Sequence, residues 1–412
     1  GTLFGFVLID LDDFRAVNDS LGHQVGNELL CALADRLRDC VRPGEILARV
    51  GGDGFAIVSE DLDGAGDAVA TAECMLSALT TPFEVGGTTH LAHASVGIAV
   101  CDASGEGTAA ERAASMLRDA ELAMYAAKDR EGNTFKLFTA EMHDAVANRL
   151  ELKAELARAI LNEEFTLAYQ PLIDIAERRI VGYEALVRWV HPERGFVSPG
   201  DFIPLAEQTG LIVELGTWVL GEACRQLAEW REDGWAENRY MSVNLAGNQL
   251  QREDFPQQVS AALDASGLPA SVLMLEVTES SLILDIEGSQ RRMEAVRDLG
   301  VRFAIDDFGT GYSSLSYLSK FPLDVLKIDK SFTDEITAGP RGRAIVDAIV
   351  NMAASLDLQV VAEGIEEPEQ VAVLAEMRCG LGQGYFYARP LPPADVPAFD
   401  VERQPLRLAE AS

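Results

Sequence analysis

Residues 301–329 read VRFAIDDFGTGYSSLSYLSKFPLDVLKID, and this stretch decides the fold. Its two short apolar runs, VRFAID and DVLKID, have the length and branched content of buried strands. Each ends in charge, Asp306-Asp307 on the first and Lys327 with Asp329 on the second. An apolar strand core has no use of its own for such groups. Gly309 and Gly311 open the loop between them, where a gating or dimer-sensing role is expected.

The same rhythm extends outward. FTLAYQ, IVGYEALVRW, RYMSVNL and VLMLEV precede the stretch, and LQVVAE and CGLGQGYF follow it. Helical segments separate them. Eight strand candidates over roughly 220 residues fit an α/β barrel better than an open sheet. In a parallel barrel the C-terminal strand ends converge on one face, where active sites are built. Glu184 with Arg188, Asn244, Glu276, Asp306, Asp307, Lys327, Asp329, Glu363 and Gln383 all fall at or near such ends. They are mainly carboxylates with one Asn, and no Cys or His. Hard oxygen donors suit Mg²⁺ or Mn²⁺ rather than Zn²⁺. So many acidic groups in one cleft cannot all ionise without cations between them. The Asp306-Asp307 pair can hold two metals at the spacing used for in-line attack on phosphodiesters. Lys327 then offers a compact charge to a phosphate oxygen or the attacking water.

Ahead of the barrel, residues 1–138 alternate strands (3–11, 46–50, 55–58, 91–100) with helices (24–40, 65–79, 110–128). Gly51-Gly52-Asp53-Gly54 is expected to turn a tight hairpin. Residues 139–162 carry Met142, Val146, Leu150, Leu152, Leu156 and Ile160 near helical spacing, which predicts a helical linker running into the next domain. The tail after Pro393 reads as polar and frayed.

The 412 residues carry a net charge of -32. That argues against nonspecific nucleic-acid binding, which needs a basic surface. A phosphate-bearing ligand would have to be met by metal ions or a few placed Lys and Arg. No apolar run is long enough for a membrane span. The opening GTLFGFVLID reads as a buried strand rather than a signal peptide, and a first residue other than Met is expected of a segment of a longer protein. The six Cys lack C-x-x-C spacing and are expected to be reduced core residues of a cytoplasmic protein.

YEALVRW, SVNLA, LEVTES, AIDDFGTGYSSL, LKIDKSF, VAEGIE and GQGYF occur in the order of the EAL domain family, and the chain resembles it over roughly residues 147–397. The resemblance implies an α/β fold class, a modified TIM (β/α)8 barrel, hydrolysing cyclic di-GMP to linear pGpG with two Mg²⁺ or Mn²⁺ ions. By position, the implied metal ligands are Glu184, Asn244, Glu276, Asp306, Asp307 and Glu363. Lys327 and Asp329 would position the water, with Glu363 a candidate base. Gln170, Arg188 and Gln383 would contact or frame the ligand. Glu279 would hold the 308–315 loop, and Glu366 would support Glu363. Relatives of this kind often work as homodimers.

LIDLDDFRAVNDSLGH, RVGGDGF and AMYAAK resemble the GGDEF family, an α/β nucleotide-cyclase-like fold. The domains implied are GGDEF at 1–139, a helical linker at 140–150 and EAL at 151–400. Asp10 and Asp53 match metal-binding carboxylates, Asn18 a guanine contact and Lys128 a triphosphate contact. The match departs elsewhere. Gly54 stands for Glu, Asn27 for a guanine-reading Asp, and Gly132 for a phosphate-binding Arg. Arg42-Pro43-Gly44-Glu45 resembles the product-inhibition motif with Glu for Asp. These changes remove a carboxylate, a guanine reader and a cation, which favours a GTP-binding regulatory domain, or a purely structural or dimerising one, over a cyclase. The competing readings are a bifunctional cyclase and phosphodiesterase, and a non-catalytic cyclic di-GMP receptor.

Overall fold

The protein is described from a computed structural model covering residues 3–402, apart from 13, 103, 105–107, 129–131, 284 and 310–319. The chain divides into two compact units, Gly1–Glu151 and Leu152–Ser412. The helix Glu141–Leu161 predicted as a linker crosses that division.

The first unit contains β1 (Leu3–Leu11), β2 (Ile46–Gly51), β3 (Gly54–Leu62), a small β4 (Phe83–Val85) and β5 (Thr88–His90) hairpin, β6 (Ala94–Asp102) and β7 (Thr134–Leu137). Its main sheet runs β2-β3-β1-β6-β7. Side chains alternate across a strand, so β1 faces two ways. Val7, Ile9 and Leu11 meet Leu33 and Leu37 of the helix His23–Arg38 and Ala72 and Met75 of the helix Ala65–Ser77. Leu8 meets Ala120 of the helix Ala109–Ala127 on the other face. That last helix starts with a capping box, Glu111 N donating to Thr108 Oγ1 and Thr108 N to Glu111 Oε2.

The cysteines depart from expectation. Cys40, just past the helix His23–Arg38, is bonded to Cys74 on the helix Ala65–Ser77. Cys31 is exposed, while Cys224 and Cys379 are buried as expected. Cys40 and Cys74 lie 34 residues apart, with Cα atoms 5.6 Å apart because their helices pack on the same sheet face. Spacing in sequence carries no sign of that proximity.

The second unit contains β8 (Phe165–Asp174), β9 (Arg179–His191), a short β10 (Gly195–Val197), β11 (Tyr240–Leu245), β12 (Leu273–Thr278), β13 (Arg302–Phe308), β14 (Val325–Ile328), β15 (Gln359–Ala362) and β16 (Leu381–Gly382). Neighbours run β9-β11-β12-β13-β14-β15-β16-β8, and β8 pairs with β9 to close an eight-stranded barrel. The expected modified TIM barrel is present, and one strand departs from the parallel pattern. β8 is antiparallel to both β9 and β16. Only a few residues separate β8 from β9, enough for a hairpin but not for the crossover that a parallel pair requires.

Period-two alternation builds the barrel interior in layers. Leu172, Tyr240, Met274, Ala304, Val325, Val361 and Leu381 form an apolar plug. Gly182 leaves room for Tyr240, since a Cβ there would stand 2.7 Å from Tyr240 O and 2.9 Å from its ring. Two residues along each strand, on the same face, come Gln170, Ser242, Glu276, Asp306, Lys327, Glu363 and Gln383. Glu184 follows Gly182 in the same way. The change from apolar to polar within one strand is therefore a change of layer.

The tail is also ordered beyond expectation. Residues Val396–Glu402 form a helix, with Asp400 buried. Asp400 Oδ2 accepts from Tyr183 Oη at 2.7 Å and Arg239 Nε at 2.9 Å, and Oδ1 accepts from Arg239 Nη2 at 2.8 Å. The polar reading of the tail missed that its charge has a partner inside. Residues 403–412 lie outside the described residues. Among the described residues no helix is long and apolar enough to cross a membrane.

Candidate active site

Lys327 occupies the centre of the polar layer and is 1% exposed. Its ammonium lies 2.6 Å from Glu276 Oε2, 2.6 Å from Glu363 Oε1, 3.2 Å from Asp306 Oδ1 and 3.7 Å from Glu184 Oε2. A buried ammonium is tolerated only with such partners. Burial opposes its charge, yet the surrounding carboxylates outweigh burial and hold Lys327 well above the usual lysine value.

The carboxylates titrate apart. Burial pushes the Glu363 carboxyl up to about 8, with Lys327 opposing and Asp306 and Glu184 adding to the rise. Burial and then the Glu184 charge push Glu276 well above the carboxylate range. Burial would raise Glu184 too, but Lys327 and hydrogen bonds from Gln383 and Asn244 hold it below its usual value. Asn244 Nδ2 and Gln383 Nε2 each lie 2.6 Å from a Glu184 oxygen. Gln383 Nε2 also donates to Gln170 Oε1 at 3.0 Å, and Gln170 Nε2 donates to Ala388 O at 3.1 Å. Thus the antiparallel β8 still delivers Gln170 to the site.

Asp306, Asp307 and Glu363 offer oxygen atoms lying within 4.8 Å of one another. Asp307 stands at the end of β13 with φ 53°, a left-handed conformation that Asp tolerates better than most residues. Burial and then Asp306 raise its carboxyl. A hard divalent cation fits this donor set, which is oxygen-only and brings three carboxylates together.

The remaining predicted residues lie around this centre. Asp329 caps the helix Lys330–Glu335, its Oδ1 accepting from Ser331 N at 3.0 Å. Arg188 Nη1 donates to Val187 O at 2.9 Å, and burial lowers its guanidinium against the opposing effect of Tyr385 and Glu184. Glu366 accepts from Lys330 Nζ at 3.0 Å. Glu279 opens the helix Glu279–Ile283 directly after β12. Most of the loop assigned to it, with Gly311, lies outside the described residues. Gln170, Glu184, Lys330, Glu363, Glu366 and Tyr385 are among the residues lining a cavity of about 240 Å³ at this mouth.

Sequence reasoning missed Ser242. Its hydroxyl is fully buried and donates to Glu276 Oε1. The signal was available, because Ser242 lies two residues before Asn244 on the same face of β11.

In the first unit, Lys128 Nζ lies 2.5 Å from Asp10 Oδ2. Burial and then the Asp10 charge raise the Asp53 carboxyl, so these three groups share one neighbourhood. A Cβ on Gly54 would stand 3.7 Å from Asp10 Oδ1, so a longer acidic side chain there would start beside the pair. Asn18 lies against Gly26: a Cβ on Gly26 would collide with its side-chain oxygen. Asn27 lines a cavity with Gln24, Glu28 and Cys31. Glu45 is engaged within its own turn and strand, accepting from Arg42 N at 2.7 Å and Ser59 Oγ at 2.7 Å.

Comparison with known proteins agrees with both halves. Residues 153–390 match the EAL domain family and residues 1–134 match "Diguanylate cyclase, GGDEF domain". The chain is 39% identical over 393 residues to the Cyclic di-GMP phosphodiesterase NbdA of Pseudomonas aeruginosa, covering 95% of this chain and 49% of that protein. It is 39% identical over 389 residues to the Bifunctional diguanylate cyclase/cyclic di-GMP phosphodiesterase MucR of the same organism, covering 94% and 56%. The chain thus spans about half the length of these relatives. Among solved structures, the PaMucR phosphodiesterase in complex with c-di-GMP matches with a TM-score of 0.58 and 41% identity, over 60% of this chain and 99% of that one. The chain therefore belongs to the EAL domain family, carrying a GGDEF domain in tandem ahead of its barrel.

Proposed function

We propose that the barrel hydrolyses one phosphodiester bond of cyclic di-GMP to give linear pGpG. The observation that carries this reading is the buried Lys327 ammonium among Glu184, Glu276, Asp306 and Glu363. It lies beside an oxygen cluster at the barrel mouth, where this fold builds active sites. Two divalent ions, Mg²⁺ or Mn²⁺, would be held by Glu184, Asn244, Glu276, Asp306, Asp307 and Glu363. When bound, such ions activate water and neutralise charge on the phosphate.

The chain's own residues supply the rest. Lys327 holds the carboxylates close together, favours the charged form of Glu184, and offers its charge to a phosphate oxygen. Asn244 and Gln383 aim both oxygens of Glu184, and Ser242 orients Glu276. Arg188, flanking the site, would counter the ligand's phosphates, which the net charge of -32 otherwise repels. Glu363, titrating near 8, is suited to take a proton at neutral pH. Asp329 orients the start of the helix that carries Lys330. The first domain is proposed as a regulator that binds GTP weakly through Asp10, Asn18, Asp53 and Lys128.

Incubation with cyclic di-GMP, and separately with GTP, in Mg²⁺ or Mn²⁺ followed by nucleotide chromatography tests this. Metal-dependent pGpG is expected. Cyclic di-GMP binding without pGpG would replace the enzyme by a receptor. Cyclic di-GMP formed from GTP would make the first domain a cyclase, and a hydrolysis rate indifferent to GTP would remove its regulatory role.

A further inference from the structure

The loop after β15 brings Glu363 to the site, and a buried amide governs its backbone. Gln370, in the first turn of the helix Pro368–Glu376, is 4% exposed. Its Oε1 accepts from Glu366 N at 2.8 Å and Glu367 N at 2.9 Å, and its Nε2 donates to Thr333 O at 3.1 Å. The bond to Glu367 N is the ordinary capping-box contact. The other two are not needed for capping. They tie the loop to the helix Lys330–Glu335, which follows Asp329.

Lys330 on that helix braces the same loop. Gly364 has φ 66°, and a Cβ added to it would stand 2.3 Å from Lys330 Cγ, so the lysine stem lies directly on the turn. The Lys330 ammonium meets Glu366 at 3.0 Å. Both ends of the Glu363 turn are thereby referred to the segment carrying Lys327, which holds the Glu363 carboxylate itself at 2.6 Å.

We propose that Gln370 is a positioning residue for Glu363, fixing the 363–367 loop against the helix Lys330–Glu335 so that the carboxylate meets a divalent ion. This rests on the phosphodiesterase reading for the role of the metal. Groups that orient metal ligands typically change metal affinity about 10–100-fold when lost. Gln370→Met keeps the bulk and removes all three hydrogen bonds. Gln370→Glu keeps the acceptor for both loop N–H groups but cannot donate to Thr333 O.

Mn²⁺ binding by the full chain, followed through the free-ion electron paramagnetic resonance signal, decides the matter. Melting temperature and pGpG formation at saturating Mn²⁺ are measured alongside. Gln370→Met should need at least about tenfold more Mn²⁺ for half-saturation, and Gln370→Glu, which keeps the loop N–H bonds but loses the bond to Thr333 O, should recover only part of that loss. Wild-type Mn²⁺ affinity in Gln370→Met, whatever its melting temperature, would reduce Gln370 to a helix cap. If Gln370→Met does not fold, Gly364→Ala disturbs the same turn, and unchanged Mn²⁺ affinity there would overturn the proposal. Wild-type protein that binds Mn²⁺ but forms no pGpG would refute the phosphodiesterase reading alone, because the Mn²⁺ titrations still judge Gln370. Wild-type protein that binds no Mn²⁺ would overturn both.

Discussion

Replacing Lys327 by Met removes the ammonium from a site where three carboxylate oxygens stand within 3.2 Å and a fourth at 3.7 Å. Met fills a similar volume, so the change is chiefly one of charge. Breaking a buried ion pair by deleting one partner costs about 3–5 kcal/mol, because the charge left behind is uncompensated. For a unit of this size each kcal/mol moves the melting temperature by about 2–4 °C. In EDTA near neutral pH the variant should therefore melt roughly 6–20 °C below wild type. A divalent ion replaces part of the missing charge. At a hundred times its Kd a ligand that binds only the folded state adds about 2.7 kcal/mol, so Mn²⁺ should stabilise the variant by several degrees without restoring pGpG formation. The assay is thermal unfolding by circular dichroism in EDTA and in Mn²⁺, with the pGpG assay alongside. A metal-free variant melting within a degree or two of wild type would refute the idea that Lys327 is the balancing cation. Near-normal turnover would refute its place in the chemistry.

Glu184→Ala removes a group aimed by both Asn244 and Gln383, and should lower pGpG formation at least about a hundredfold, since even groups that orient ligands cost about 10–100-fold; near-normal activity would sink the site assignment. Gly54→Glu alone should yield little cyclic di-GMP from GTP, because Asn27 and Gly132 remain; strong cyclase activity would show that those two positions matter less than the missing carboxylate. Arg239→Met strands the buried Asp400 and should cost about 3–5 kcal/mol in denaturant unfolding while leaving turnover per folded molecule unchanged; an unchanged unfolding midpoint would contradict it. Glu363 is raised in the folded state to about 8 from 4.5, so its contribution to metal-free stability is full below pH 4.5 and is lost as pH rises toward 8. Glu363→Gln should flatten metal-free stability across that window, and a profile parallel to wild type would contradict the assignment.

The site was legible in sequence because strands repeat every two residues. A strand whose plug residue is apolar, such as Met274 or Val325, places the residue two along on the same interior face, and Glu276 and Lys327 stand there. Convergence of strand ends in a barrel then assembles a site from residues nearly two hundred positions apart, such as Glu184 and Gln383. What stayed illegible was partnership. Asp400 read as part of a polar tail because its partners Arg239 and Tyr183 lie on other elements. Cys40 and Cys74 read as free thiols because only helix packing brings them together. Gln370 read as nothing in particular, although its amide joins a loop to a helix that precedes it by more than thirty residues.

Sequence alone determined the two families, the barrel and the chemical type of the site, because motif order, strand period and donor chemistry are local properties of the chain. Only the tertiary structure decided that β8 runs antiparallel, that Lys327 is the buried counter-charge to four carboxylates, and that Glu363 titrates near 8. Those are matters of distance and burial. A carboxylate's charge depends on what surrounds it in space, and the order of residues along the chain does not carry that information.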